Sequence, residues 1–234
     1  MGANIQSTTI AFFNNVSFLI IAIYAIGYPI VYFIAALHHP EGFSRVLLFS
    51  EVFDQEPMRT FNIFASTNYS INLVVNIIFK FLHSLYHIES YRGQTEKYKL
   101  FYYFSYFNFF CGFILSMANL GVCNFPVSQY RTFHLFCAYI MFFSGTVFMI
   151  SQYLFDKIVN SIDKETAILR KRLICFNVLG YLCPVFLFGL AQPYVGWASF
   201  FEHVGVLSMT VYFASYVKEM KKCAMVLIET KRVD

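Results

Sequence analysis

From Thr132 to Phe155 the chain carries no Asp, Glu, Lys or Arg. About 20 predominantly apolar residues suffice to cross the roughly 30 Å hydrocarbon core of a bilayer at 1.5 Å rise per residue. This stretch therefore reads as a membrane span, and the polar segment before it, Asn124 to Thr132, brings His134 to its mouth.

Composition extends the argument to the whole chain. Apolar residues make up 58% and charged residues 13%, against about a quarter charged in soluble domains, which excludes a soluble globular fold. Charges divide the sequence into six apolar segments of spanning length: Val16 to Leu37, Phe61 to Leu82, Leu100 to Val122, Thr132 to Phe155, Leu173 to Tyr194 and Ala198 to Val217. The expected fold is all-α, a polytopic membrane protein whose 234 residues form one domain of six transmembrane helices. Of the 17 Lys and Arg, all but Arg45, Arg59 and Arg131 fall around the second loop, the fourth loop and the C-terminal tail. Basic loops are retained in the cytosol, so both termini are expected there. The net charge of +4 is then a topology signal, and no nucleic-acid partner is expected; membrane lipids, with other membrane proteins, are the expected partners.

Polar residues inside spans are expensive and point to helix contacts. Asn68, Asn72 and Asn76 recur every four residues on one face of the second span, and a packing seam joined by amide hydrogen bonds is the expected use of that face. Glu202 is the acid placed within a span, about one turn into the sixth. Its helix starts on the same side as the one headed by His134, so the two are expected to meet at the non-cytosolic mouth. Glu51 of the acidic first loop and Asn124 complete this candidate cluster, which either fixes helix orientation or contacts a lipid or small molecule. Otherwise the first-loop acids read as a solvated face.

Catalytic chemistry finds little support. No Gly-x-Ser-x-Gly elbow or phosphate loop is present. A metal bound by His134, Glu202 and His203 is disfavoured because adjacent helical residues point about 100° apart, and His83 with His87 lies too far from His134 to share a haem. The chain is expected to be no enzyme and to need no cofactor or metal. Cys111, Cys137, Cys175 and Cys183 lie in spans as small apolar residues, and no disulfide is expected. Cys223, beside Lys221 and Lys222 just past the last span, is placed as palmitoylated cysteines often are. The sequon at Asn15 and the one at Asn68 are expected to stay unglycosylated. Gln6 stands where a myristoylation signal has Ser or Thr, and Lys231-Arg232 faintly resembles a dibasic retrieval signal.

Three patches carry a resemblance. Asn124-Phe125 precedes His134 by ten residues, with Ala138, Phe142 and Gly145 following. Glu202 is followed by Ser208, Phe213, Ser215-Tyr216-Val217 and Lys218-Glu219. Phe49-Ser50-Glu51 and Pro57 stand in the first loop. In these the chain resembles the damage-regulated autophagy modulator (DRAM) family, part of a wider six-span group that includes a Golgi factor for remodelling GPI anchors and a yeast plasma-membrane protein linked to phosphoinositide kinase. Phe53, Met58 and His203 depart from the family pattern. The resemblance implies helix packing at Gly145 and a non-enzymatic endomembrane protein, in lysosome or Golgi in preference to the plasma membrane, acting in autophagy or lipid handling. GPI-anchor remodelling and the organisation of phosphoinositides are the alternatives.

Overall fold

The structure is a computed structural model that describes residues 27–39, 44, 46–54, 56–190, 195–217 and 219. Residues 16–26 of the first expected span, the sequon at Asn15, Arg45, residues 191–194, Lys218, and the tail with Lys221, Lys222, Cys223 and Lys231-Arg232 lie outside the described residues. Those described are helical, without a strand. In chain order they form α1 (Gly27–His38), α2 (Phe49–Val52), α3 (Met58–Glu89), α4 (Thr95–Asn124), α5 (Val127–Ile158), α6 (Lys164–Leu190) and α7 (Val195–Ala214). Helices α3, α4 and α5 are each long and apolar enough to cross a membrane. The other expected spans fall on α1, α6 and α7.

The helices outrun the apolar segments that announce them. At 32 residues α3 and α5 are about 48 Å long, and α6 starts at Lys164, so most of the basic fourth loop is helical. Hydropathy marks the part of a helix that sits in lipid; the helix itself runs on to its cap. Asp163 starts α6, accepting from Thr166 N–H at 2.8 Å and from its hydroxyl at 3.0 Å. Asn160 ends α5 in the left-handed region (φ 56°), where Ser161 N–H reaches back to Asp156 O at 3.0 Å and Asn160 N–H to Lys157 O. This is the reciprocal closure that a left-handed residue after a helix makes possible.

Described acids of the first loop do the same work at the other end, Glu56 while remaining exposed as expected of a solvated face. Glu51 Oε2 accepts from Leu48 N–H at 2.7 Å at the start of α2. Glu56 Oε2 accepts from the Thr60 N–H and hydroxyl at the start of α3. Asp54 Oδ1 accepts from the Ser128 N–H at 3.2 Å and hydroxyl at 2.9 Å at the start of α5. Each carboxylate meets the positive end of a helix, where orphan N–H groups need acceptors.

Packing is inverted relative to a soluble protein. Large apolar side chains such as Phe64, Phe110, Phe136 and Phe143 face outward, while Asn62, Ser66, Asn108, Gln152 and Asn177 are buried. Sequential helices α3–α4, α4–α5 and α6–α7 form the main contacts around a core of Leu73, Leu115, Phe148, Met149 and Tyr212. The tightest approach is α6 on α7. A Cβ on Gly180 would stand 2.5 Å from Gly205 N and 2.8 Å from Phe201 O, and backbone atoms cannot swing aside. Around this crossing, Asn177 donates to Gly205 O at 3.1 Å and accepts from Thr146 of α5 at 2.7 Å. Small residues bring the backbones together and amides join them, as in membrane bundles.

Gly180→Ala is expected to destabilise the fold by about 1–3 kcal/mol through overpacking. Gly93→Ala, where a Cβ meets nothing within 4 Å, should leave it unchanged. Thermal unfolding of the detergent-solubilised variants checks the contrast.

Candidate functional site

Polar side chains gather at two opposite ends of the bundle. His134 and Asp156 stand on one helix, about 33 Å apart along its axis, which is close to the thickness of a hydrocarbon core.

At the first end, a cavity of about 50 Å³ lies between α2, α3, α4, α5 and α7. His134 and Glu202 both line it, as do Ser50, Ser66, Tyr69, Asn119 and Thr210, over a floor of Leu73, Leu115, Met141, Phe142 and Met209. Its volume admits one or two waters or a single small polar group. His134 is buried, and its Nδ1–H donates to Phe125 O at 2.7 Å. A carbonyl can only accept, so Nδ1 carries a proton, and Nε2 is the ring nitrogen left to face other groups. The hydrogen bond exists because Pro126 starts α5 in extended geometry and a break at Tyr130 (φ −129°, ψ 41°) sets the first turn apart from the rest of the helix. The walls hold further pairs: the Tyr69 and Thr210 hydroxyls at 3.2 Å, and Asn119 Nδ2 donating to Ser70 Oγ at 2.7 Å. Glu202 and His203 diverge as helical neighbours must. The His203 Nδ1–H donates to Ser199 O at 2.7 Å, and its Nε2 accepts from the Tyr28 hydroxyl, fastening α1 to α7.

The other members expected at this mouth are placed differently. Glu51 caps α2, and it is its neighbour Ser50 that lines the cavity. Asn124 is exposed and donates to Leu120 O at 2.8 Å within its own helix. The asparagine row also divides. Asn76 and Asn72 are buried, with Asn76 Nδ2 donating to Asn72 O at 2.7 Å, whereas Asn68 is exposed and donates to Phe64 O at 2.8 Å. A step of four residues overshoots a full turn by about 40°, so the row spirals from the outer face at Asn68, over the rim at Asn72, to the interior at Asn76. Gly145 packs in the interior, where a Cβ would stand 2.8 Å from Met209 Sδ and 3.3 Å from Leu115 Cδ1.

Continuing that spiral by four residues reaches Lys80, and there lies the second cluster. Lys80 of α3, Asp156 of α5, Arg170 of α6 and Glu219 beyond α7 form a closed ring of four ion pairs. Asp156 is 2.8 Å from both Lys80 Nζ and Arg170 Nη1, and Glu219 pairs with both cations in turn. Arg170 and Asp156 are 0% exposed. The ring is neutral, two cations against two acids. Gln152 Nε2 donates to Asp156 at 3.0 Å, and Gln152 Oε1 accepts from Asn108 of α4 at 3.2 Å, so a fifth element is tied in. Arg170 also donates to Ser215 Oγ at 2.9 Å and lies 4.4 Å over the Tyr216 ring. Ser215, Tyr216 and Glu219 belong to the exit motif read from the sequence, which here has a structural occupation. Among the described residues no group of three or more His, Cys, Asp or Glu is arranged to hold a metal ion, and the five described cysteines are free.

The sequence concealed this ring because Lys80 and Arg170 counted among topology-setting loop charges and Asp156 ended a span. The legible signal was the register Asn72–Asn76–Lys80–Ser84, all buried.

Removing one member strands a buried charge, so Arg170→Met is expected to cost about 3–5 kcal/mol. Adding Glu219→Leu leaves Lys80 paired with Asp156 and should recover a large part of that loss. Arg92→Ala, from an exposed pair with Glu89, should have no measurable effect. Denaturant unfolding in mixed micelles checks all three, and strictly additive single and double variants would contradict the ring.

Residues 12–223 match the family model described as the Frag1/DRAM/Sfk1/Cwh43P N-terminal domain. No curated protein and no solved structure matches the chain. With nearly all of its length covered by that one model, the chain belongs to the Frag1/DRAM/Sfk1 family of membrane proteins.

Proposed function

We propose that this chain is a non-enzymatic multi-pass protein of the endomembrane system that acts in autophagy or the handling of membrane lipid, and that the cavity shared by His134 and Glu202 receives a polar group of a lipid. The observation that carries the proposal is the composition of that cavity. Its floor is apolar, and its walls present a buried imidazole, a carboxyl group and hydroxyls. Such a lining suits a hydroxyl or another hydrogen-bond donor attached to an apolar body, which describes the region of a lipid where headgroup meets chains. A volume near that of one or two waters suits one donor group and excludes a whole headgroup. Membership of the family supports the membrane setting, and the lysosome or Golgi is the proposed compartment.

His134→Ala and Glu202→Gln are expected to weaken retention of copurifying lipid roughly tenfold, the scale of one hydrogen bond involving a charged group, at unchanged abundance and sorting. Lipid extracted from the purified variants and quantified by mass spectrometry reads this directly. In cells lacking the protein, the tagged chain is imaged against lysosome, Golgi and plasma-membrane markers while surface GPI-anchored protein is measured. Lysosomal signal with normal GPI-anchored protein supports the autophagy branch. Golgi signal with GPI-anchored protein lost would replace it with GPI-anchor remodelling.

A further inference from the structure

Every amide that the described residues place well inside a long apolar helix is buried or half-buried in the bundle, except one. Asn72, Asn76, Asn108, Asn119, Gln152 and Asn177 all turn inward. Asn68 is exposed, about 15 Å along α3 from its start at Met58. Its amide donates to the carbonyl of Phe64 in the same helix, which uses one amide hydrogen and leaves the second hydrogen and the carbonyl oxygen on an exposed face. In hydrocarbon such groups cost free energy unless another protein meets them.

The surroundings of Asn68 have the pattern of a helix–helix seam. Phe64, Asn68, Ile71, Val75, Ile78 and Leu82 follow one another at steps of four, three, four, three and four, the alternation that keeps one face of a helix toward a left-handed partner. Phe64 is 71% exposed, Ile71 59%, Ile78 42% and Leu82 54%. Beside Asn68 the helix surface is hollowed into a groove lined by Thr60, Ile63, Phe64, Thr67 and Asn68.

We infer that α3 is the interface of a parallel homodimer in which Asn68 pairs with Asn68 of a second copy. The membrane fixes the choice of partner. Two copies inserted in the same direction are related by a two-fold axis along the membrane normal, so each residue of α3 meets its own counterpart at the same depth. A carboxamide is both donor and acceptor and therefore complements itself. A different protein would need a matching polar group at that depth on a matching seam. The large side chains of Phe64 and Ile71 flank the pair, and Thr67 permits close approach. The inference is independent of the His134–Glu202 cavity, which α3 lines with Ser66, Tyr69 and Leu73 and not with Asn68.

The test uses the full chain in lipid vesicles. Ile71→Cys is expected to give a disulfide-linked species of twice the chain mass on mild oxidation, well above the background of the native cysteines, whereas Phe110→Cys on the outer face of α4 is not. Fluorescence transfer between labelled copies, titrated against lipid, is expected to show association weakened roughly tenfold by Asn68→Leu and largely retained by Asn68→Gln. Circular dichroism and unfolding of Asn68→Leu should match the wild type, because the residue lies outside the bundle core. Equal association of wild type and Asn68→Leu, or cross-linking in cells to a species of a different mass, would overturn the homodimer.

Discussion

Four buried charges hold one end of this bundle, and their arrangement dictates how the helices meet. Taking an ammonium, a guanidinium and two carboxylates out of water costs several kcal/mol each, and only mutual pairing offsets that cost. Each cation touches both acids, so losing any one member leaves a buried charge short of a partner. Because the four side chains come from α3, α5, α6 and the segment after α7, the ring closes only when those elements occupy the positions seen. Apolar packing tolerates small slips of one helix on another; a closed ring of ions does not. Gln152 and Asn108 extend the constraint to α4, and the Tyr212 and Tyr216 rings cover it from the core side.

The opposite end is organised by a different means. There the carboxylates of Glu51, Asp54 and Glu56 sit at helix starts, where they satisfy free N–H groups without entering lipid. These contacts are weaker singly but fix the angle at which the first loop lies across the mouth, and with it the rim of the His134–Glu202 cavity. A rigid ionic end and a loop-capped end with an internal hollow give the two faces of the membrane different mechanical characters. The cavity lies at the end better suited to admit something.

Much of this was legible from residues alone, and what was not has identifiable causes. A charge-free run such as Thr132 to Phe155 leaves little freedom, so helical class and membrane setting follow directly. That His134 and Glu202 would line one space followed from their helices starting on the same side. Asn68 was misgrouped because a spacing of four is close to a turn without equalling it, and the error grows along the row. Asn124 and Glu51 were assigned to the cavity by proximity in sequence, whereas Glu51 accepts from the Leu48 N–H at the start of α2 and Asn124 folds back on its own helix. The ionic ring was hidden for a deeper reason. Nothing in Arg170-Lys171-Arg172 says which of three cations turns inward; that is decided by Asp156 and Glu219, 14 and 49 residues away.

That separation bears on how the protein is made. Lys80 and Glu219 are 139 residues apart, and synthesis at about 5–20 residues per second puts roughly 10–30 s between them. Until Asp156 and then Glu219 are made, the Lys80 ammonium has no acid of the ring to meet at the end of a nascent α3, where a positive charge biases orientation in the membrane. Once Glu219 arrives, the same ammonium is drawn inward and becomes part of the interior. One side chain thus serves first as a compass and later as a keystone, and the last charge to be translated in the ring is the one that closes the vault.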